Sequence, residues 1–273
     1  MPSIDVNGTT LHYTDDGPRT GLGVVLSHSL YFDHRMFDAQ VEDLAQEYRV
    51  VRYDHRGQGA SARAPRDQLD MDTLAEDAAA LIQALELPLP TFVGAGMGGF
   101  VALRLATRHP DLVAAVVVSG SSADAEEQPA AYGALLEKMA EGGVEPVLDA
   151  LTQRLLGDRT IAERPELTAQ VRERLAGLGP EIVDPAWQVA HRAPVLDELD
   201  GVRVPVLILA GAEDRADPPA ESREMAERIR MVSLEVLDGV GHTVFLEDPD
   251  RATRHLRNHL IALASAARPA DLA

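Results

Sequence analysis

Cysteine is absent from this 273-residue chain, lysine occurs once, at Lys138, and aromatic residues make up only 4% of the sequence. Without cysteine there is no disulfide framework and no thiolate nucleophile. Histidine, aspartate and glutamate do not fall at zinc-binding spacings, so we expect no metal. No apolar run approaches the roughly 18 residues that span a membrane, and the N-terminus lacks a signal-peptide pattern. We therefore expect a cytoplasmic protein without a membrane partner.

Positive charge is also scarce. The chain has 25 basic residues against 44 acidic residues, for a net charge of −19. Such a surface repels polyanions and offers no basic stripe for a phosphate backbone, so nucleic acid is not an expected partner. Hydrophobic residues make up 45% of the sequence, which is enough for one substantial core with an appended subdomain.

Apolar runs that alternate with amphipathic stretches predict a doubly wound α/β sheet. Asn7-Gly8, between two short strand-like runs, indicates an opening hairpin. The predicted strands cover residues 4–6, 10–13, 22–27, 48–53, 91–93, 112–119, 204–210 and 233–237. The predicted helices cover residues 35–48, 74–87, 97–109 and 245–263.

Residues 121–200 interrupt this alternation. Helical spacing of apolar residues continues through the segment, with breakers at Gly142-Gly143, Pro165 and Gly179-Pro180. The pattern predicts a helical cap, or lid, inserted into a core formed by residues 1–120 and 201–273. After Ala267 the pattern ends, and we expect a frayed tail there.

Residues 91–103 read as a strand, a sharp turn and a helix, with small residues on both sides of the turn. This is the pattern of the G-x-S-x-G nucleophile elbow, in which a serine side chain projects above the sheet. The residue at the apex here is Gly96. The chain resembles the α/β-hydrolase fold family over nearly its whole length, but it has glycine at the position of the nucleophile.

Two further residues carry this resemblance. Asp214 follows the predicted strand 204–210, and His242 lies between the last strand and the last helix. They keep the family's chain order of nucleophile, acid and histidine. The resemblance implies that Asp214 orients His242 and that His242 is the general base. Glu213 and Asp217 are alternatives for the acid.

The segment Leu-Ser-His-Ser-Leu at residues 26–30 stands where the family has His-Gly and an oxyanion-hole residue. Together with residues 36–38 and 52–61, it most resembles 3-oxoadipate enol-lactonases and related esterases. By that match, the backbone N–H groups of Leu30 and Met97 would face the oxyanion. Asp54 and Arg56 are interpreted as braces of their loop, and His28 as a packed scaffold residue.

The resemblance also implies a small-molecule pocket beneath the lid. We expect its residues on the oxyanion loop and in the lid, at Ser29, Tyr31, Tyr132, Met139, Trp187, His191 and Arg192. Arg192 is a candidate for holding a substrate carboxylate, with a surface salt bridge as the alternative. Most other apolar lid residues are expected to pack the lid onto the core.

Two rival interpretations concern the glycine-rich turn and the missing nucleophile. Residues 94–99 also satisfy G-x-G-x-x-G after a strand. The next predicted strand ends at Ser119 without the acidic residue that would bind a ribose, so we do not expect a dinucleotide. Ser27, Ser29 and Ser119 are candidates to replace the nucleophile. Ser119 is expected to be the nearest, because it ends the strand beside the elbow; the alternative for Ser119 is a polar strand end before the lid.

The leading hypothesis is a hydrolase of carboxylic esters or lactones whose nucleophile serine is replaced by Gly96, as in a deliberately inactivated variant. Covalent activity would then be lost or strongly impaired. The reaction needs a small-molecule ester or lactone and no cofactor; the oligomeric state stays open. One alternative is a natural enzyme that uses only His242 and Asp214 as a general base, like the cofactor-free dioxygenases of this fold. The other is a non-catalytic ligand-binding protein.

Overall fold

The computed structural model describes residues 2–266, and the tail predicted after Ala267 lies outside them. Within the described residues, the strands form one eight-stranded sheet in the order β1-β2-β4-β3-β5-β6-β7-β8. The strands are β1 (Ser3–Val6), β2 (Thr9–Asp16), β3 (Gly23–Ser27), β4 (Arg49–Tyr53), β5 (Thr91–Ala95), β6 (Ala115–Ser119), β7 (Val206–Gly211) and β8 (Val232–Leu237).

The sheet is mostly parallel, which confirms the predicted doubly wound α/β fold. β1 and β2 form the opening antiparallel hairpin, and β2 is also antiparallel to β4. From β4 to β8 all neighbouring strands are parallel. β3 to β7 are buried along their whole length. Burial on both faces explains why these strands, except β4 with its two arginines, read as apolar runs rather than as alternating patterns.

Helices pack on the sheet and form the insertion. They are α1 (Asp38–Leu44), α2 (Met71–Ala84), α3 (Met97–Arg108), α4 (Pro129–Gly142), α5 (Leu148–Leu155), α6 (Asp158–Glu163), α7 (Pro165–Ala176), α8 (Val183–Ala190), α9 (Pro219–Arg228), α10 (Val244–Glu247) and α11 (Pro249–Ala266). Four of them begin with proline, whose fixed φ suits the first helical position. Among the helices of residues 2–266, none has the length and apolar character needed to cross a bilayer.

Helices α4 to α8 lie between β6 and β7 and form what we call the helical insertion. Its interior is built from buried apolar side chains such as Leu136, Met139, Leu151 and Leu175. These side chains belong to the same continuous cluster as the core around the sheet. The insertion is therefore packed onto the sheet domain through apolar contacts.

Two predicted helices have different bounds in the structure. The predicted helix 245–263 is wrong as a single element, because α10 ends at Glu247 and α11 begins at Pro249. Proline disfavours the helical conformation in the residue before it, and Asp248 has φ −141° and ψ 71°. The predicted helix 35–48 is instead a 3₁₀ turn at His34–Phe37 followed by the short α1.

Candidate active site

The carboxyl ends of the parallel strands meet at one edge of the sheet, and the candidate site lies there. Gly96 links β5 to α3 with φ 52° and ψ −117°. Its N–H donates to the Ser119 carbonyl at 2.8 Å, and its own carbonyl accepts from Ser121 Oγ at 2.7 Å. This positive-φ conformation is accessible to glycine but costs other residues about 1–3 kcal/mol. The backbone thus has the strained geometry of an elbow apex.

Close packing accounts for the glycine that follows the apex. A Cβ atom on Gly98 would lie 2.6 Å from the carbonyl carbon and from the hydroxyl oxygen of Ser27 at the end of β3. Glycine therefore allows α3 to approach β3. This contact explains the glycine at position 98.

His242 and Asp214 form a buried pair at this edge. His242 Nδ1 donates to Asp214 Oδ2 at 3.2 Å. Asp214 Oδ1 accepts the backbone N–H groups of Ala216 at 2.8 Å and Asp217 at 3.0 Å, which fixes the carboxylate. Asp217 Oδ2 is farther from His242 Nδ1, at 3.7 Å. The other rival acid, Glu213, instead accepts an N–H from the helical insertion.

The neighbouring carboxylates set the basicity of His242. Burial by itself lowers the pKa of His242, but the charge and hydrogen bond of Asp214 and the charge of Asp217 outweigh burial and raise the pKa above its ordinary value. Burial raises the pKa of the Asp217 carboxyl, while Arg192 and His242 oppose that shift. His242 is thus a stronger base than a free imidazole, held in position by a carboxylate.

We expect the rate of any reaction that uses His242 as a base to rise with pH through a midpoint above 6.5, the ordinary histidine pKa. Only neutral His242 accepts a proton, and a raised pKa keeps it protonated to higher pH. Asp217→Asn removes one of the charges that stabilise the imidazolium, so the midpoint should fall by up to about one unit. A pH profile of kcat/KM measures this shift.

The matched control is Asp149→Asn, which removes the same charge from an exposed side chain on the helical insertion. It should leave the midpoint in place, because an exposed distant charge is screened by salt. An Asp217→Asn profile that overlays the unmodified one would show that Asp217 does not act on the base.

Glu247, which the sequence analysis did not identify, holds the His242 loop. It is 4% exposed and lies on α10. Its Oε2 accepts the N–H groups of Gly157, at 2.8 Å, and Gly241, at 3.0 Å. Its Oε1 accepts the N–H of Thr243 at 3.1 Å and the Thr243 hydroxyl at 3.0 Å. One carboxylate therefore joins both neighbours of His242 to the helical insertion.

Two backbone N–H groups near Gly96 are available to an oxyanion. Within residues 2–266, neither Leu30 N–H nor Met97 N–H donates a hydrogen bond to another protein atom. Met97 begins α3, where the helix dipole favours negative charge. Both residues line the same cavity as His242. This is the arrangement that an oxyanion hole requires.

The cavity around Gly96 has a volume of about 40 Å³. Of the predicted pocket residues, four line it: Ser29, Tyr31, Tyr132 and Arg192. Its other lining residues are Leu30, Gly96, Met97, Phe100, Glu126, Arg154, Leu155, Val189, Ala216, Asp217 and His242. Tyr31 and Tyr132 close one side through a hydrogen bond of 2.9 Å between their hydroxyl groups.

Three predicted pocket residues lie outside this cavity. Met139 is fully buried in the interior of the helical insertion, because the apolar face of α4 packs inward there. Trp187 stacks on His191 with ring centroids 3.9 Å apart. His191 is exposed at the end of α8. Trp187 also lies beneath the Arg66 guanidinium of the sheet domain, 5.3 Å from the ring centroid, and none of the three side chains lines the cavity around Gly96.

Arg192 is a buried residue that lines the cavity, not a surface one. Its guanidinium donates to the Asp124 carbonyl at 2.9 Å and to Ser122 Oγ at 3.1 Å. It also lies 3.5 Å from Glu126 and 3.5 Å from Asp217. Protein atoms thus occupy much of its hydrogen-bonding capacity and balance its charge.

The residues interpreted as braces make internal contacts. Arg56 donates to both oxygens of Asp77 on α2, at 2.9 and 2.6 Å. Asp54 accepts the backbone N–H groups of His34, at 2.9 Å, and Ala60, at 2.8 Å. His28 is fully buried and accepts a backbone N–H at 3.0 Å, and burial lowers its pKa.

One group within residues 2–266 has the composition of a metal site. The ligand atoms of His12, His34 and Asp54 lie within 4.8 Å of one another. They line a separate groove of about 960 Å³ that contains neither Gly96 nor His242. Asp54 is already satisfied by His34 Nδ1 at 2.8 Å and by backbone N–H groups. The three residues come from separate parts of the chain, so sequence spacing does not reveal them.

Known proteins share this architecture. The sequence profile of the alpha/beta hydrolase fold family matches residues 24–249. A 3-oxoadipate enol-lactonase from Acinetobacter baylyi is 28% identical over 247 residues, which cover 90% of this chain and 91% of the relative. A putative carbamate hydrolase, RutD, from a Caulobacter species is 30% identical over 264 residues, covering 95% of this chain and 98% of the relative.

A solved structure extends the likeness to three dimensions. The enol-lactonase from Burkholderia xenovorans superimposes with a TM-score of 0.88 at 30% sequence identity. The match covers 95% of this chain and 100% of that protein. These likenesses agree with the resemblance that residues 26–30 and 52–61 carry.

Proposed function

The chain belongs to the alpha/beta hydrolase fold family, and from that premise we propose that it hydrolyses small carboxylic esters or lactones at the His242 site. The observation that carries the proposal is the convergence of three features on Gly96. These are the His242 and Asp214 pair, at 3.2 Å, the N–H of Leu30 and the N–H of Met97, neither of which has a protein acceptor among residues 2–266. Acyl transfer needs this combination of a base and oxyanion donors.

Each group has a role in such a reaction. His242 Nε2 takes the proton of the attacking nucleophile and later gives it to the leaving oxygen. Asp214 stabilises the imidazolium that forms and fixes the ring orientation. Leu30 and Met97 donate to the carbonyl oxygen as it becomes an anion. Gly96 supplies no nucleophile, so the rate stays far below that of a complete triad.

The cavity favours a small, neutral substrate. Two guanidinium groups, of Arg154 and Arg192, and two carboxylates, of Glu126 and Asp217, line it, so its charges balance. A volume of about 40 Å³ admits only water-sized molecules. An ester therefore enters when the helical insertion moves away from the sheet edge, as a lid does. The enol-lactonase relatives support the ester and lactone class.

The test is hydrolysis of a panel that contains a chromogenic acetate ester, a neutral lactone, a carboxylated enol-lactone and a carbamate. We expect turnover of the ester or lactones above the uncatalysed rate. His242→Ala should reduce kcat/KM by about tenfold or more, with the uncatalysed hydrolysis of the activated ester setting the floor.

Three results would contradict the proposed function. Equal rates for the chain and His242→Ala on every substrate would exclude catalysis by this base. Oxygen consumption with a hydroxylated aromatic substrate, without hydrolysis of the panel, would assign His242 and Asp214 to the general-base chemistry of a cofactor-free dioxygenase. Selective turnover of the carbamate would move the substrate class to that of the second relative.

A further inference from the structure

The side chain of Ser29 occupies the place where an elbow side chain would stand. A Cβ atom built on Gly96 would overlap the Ser29 hydroxyl oxygen and would lie 2.9 Å from Ser29 Cβ. The same point is 3.0 Å from His242 Nε2. The Ser29 hydroxyl and the free nitrogen of the base thus approach one location, from the loop after β3 and the loop after β8.

Other hydroxyl groups are less suited to nucleophilic attack. Ser29 is the one serine or threonine among the described residues that line the cavity. Ser27 is fully buried and hydrogen-bonded to His55 and Tyr53, at 2.9 and 3.1 Å. Ser119 Oγ is buried without a partner in the described part of the chain, and Ser119 does not line the cavity.

The tyrosine hydroxyls of the cavity are also poor candidates. Tyr31 and Tyr132 are hydrogen-bonded to each other at 2.9 Å. Burial raises the pKa of Tyr31 well above its ordinary value and raises that of Tyr132 as well. Their phenolate forms are therefore less accessible than in water.

Each oxyanion donor belongs to the residue directly after one of the two candidate nucleophile positions, 96 and 29. Met97 N–H follows Gly96, and Leu30 N–H follows Ser29. In an elbow, one donor is the N–H of the residue after the nucleophile and the other comes from the loop after β3. A nucleophile at Ser29 keeps both donors and exchanges their roles.

We propose that Ser29 is the catalytic nucleophile of this chain, activated by His242. The inference rests on the proposed function. Ser29 Oγ forms a bond to the substrate carbonyl carbon while its proton passes to His242 Nε2. The bond from that carbon to the leaving oxygen then breaks, and the leaving oxygen takes the proton. Water, deprotonated by His242, attacks the acyl-serine, releases the carboxylic acid and restores the Ser29 hydroxyl.

The experiment is acyl-enzyme trapping with p-nitrophenyl acetate. The protein is mixed with the ester, quenched in acid, weighed intact and digested for peptide mapping. We expect an acetyl group on Ser29, absent from Ser29→Ala and from His242→Ala. Ser29→Ala should lower kcat/KM by about tenfold or more, because an alanine methyl group cannot attack. Ser119→Ala, the matched control, should keep the rate within about twofold.

The outcomes separate this inference from the proposed function. Hydrolysis that requires His242 but proceeds equally in Ser29→Ala, without a Ser29 adduct, would overturn the inference and make water the nucleophile. The proposed function would then stand. An adduct on another residue would also overturn the inference. Failure of every chain to accelerate hydrolysis would overturn both, and thermal melts of Ser29→Ala identify any loss of folding.

Discussion

Gly96→Ser is expected to hydrolyse small activated esters at least about 100 times faster than the chain with glycine, since loss of a triad nucleophile costs several orders of magnitude. The reason is geometric. A Cβ atom at position 96 would lie 3.0 Å from His242 Nε2, so a hydroxyl on it would be within reach of the base. The measurement is kcat/KM with p-nitrophenyl acetate for both chains.

Ser29 obstructs the position that the Gly96→Ser side chain must occupy to give this gain in rate. Its hydroxyl group and its Cβ at 2.9 Å crowd the point that a new Cβ would occupy, so the Ser29 hydroxyl must rotate away and the backbone that carries the Ser29 Cβ must shift slightly. The matched variant Gly96→Ser with Ser29→Gly removes the obstruction and should be at least as fast as Gly96→Ser alone. In it, the acetyl adduct should map to position 96.

Backbone strain makes the serine variant less stable than the glycine chain. At φ 52° and ψ −117°, a serine costs about 1–3 kcal/mol relative to glycine, offset in part by the lower entropy of the unfolded serine chain. Denaturant melts should show Gly96→Ser to be about 1 kcal/mol less stable. If neither serine variant exceeds the glycine chain in rate, position 96 is not a nucleophile elbow.

The fold was largely predictable from local patterns. Strands such as β5 and β6 are continuous apolar runs, because helices cover both faces of a parallel sheet. The elbow and Asp214 follow such strands, and His242 follows the edge strand β8, so the carboxyl edge gathers all three without knowledge of long-range packing. The recognised family supplied their chain order.

The rest of the site depends on contacts that periodicity does not encode. Met139 and Tyr132 lie on the same helix, yet one packs inside the insertion and the other reaches the cavity. The sequence favours Ser119 as the serine nearest to the elbow. In the structure it is instead the Ser29 side chain, on the loop after β3, that occupies the place of a side chain at position 96. The role of Glu247 follows only from its hydrogen bonds in the structure, because the sequence predicts a continuous helix through this residue.

Glu247→Gln is expected to destabilise the protein by about 2–4 kcal/mol and to impair the His242 site. Each carboxylate oxygen accepts two hydrogen bonds, Oε2 from Gly157 and Gly241 and Oε1 from the N–H and hydroxyl of Thr243. Whichever way a glutamine amide points, its NH₂ group faces backbone N–H donors. Leaving a buried donor without an acceptor costs about 1–3 kcal/mol.

Urea melts measure the loss, and Glu213→Gln is the matched control. Glu213 is only partly buried and accepts one N–H from the insertion, that of Arg159, at 3.0 Å. Its replacement should cost less than about 1 kcal/mol, because water replaces the lost acceptor at an exposed site. A Glu247→Gln protein as stable as Glu213→Gln would show that the carboxylate does not join the insertion to the His242 loop.

Measuring the activity of the Glu247→Gln variant shows whether Glu247 positions His242 or only stabilises the fold. In the Gly96→Ser background, at a temperature where both proteins are folded, Glu247→Gln should lower kcat more than it raises KM. Gly241 and Thr243 flank His242, so releasing their N–H groups displaces the base from the reacting atoms, and small misplacements of a catalytic group are costly. An unchanged kcat in the folded variant would assign Glu247 to stability alone. A reduced kcat would show that this carboxylate, which also binds the insertion at Gly157, holds the base in place.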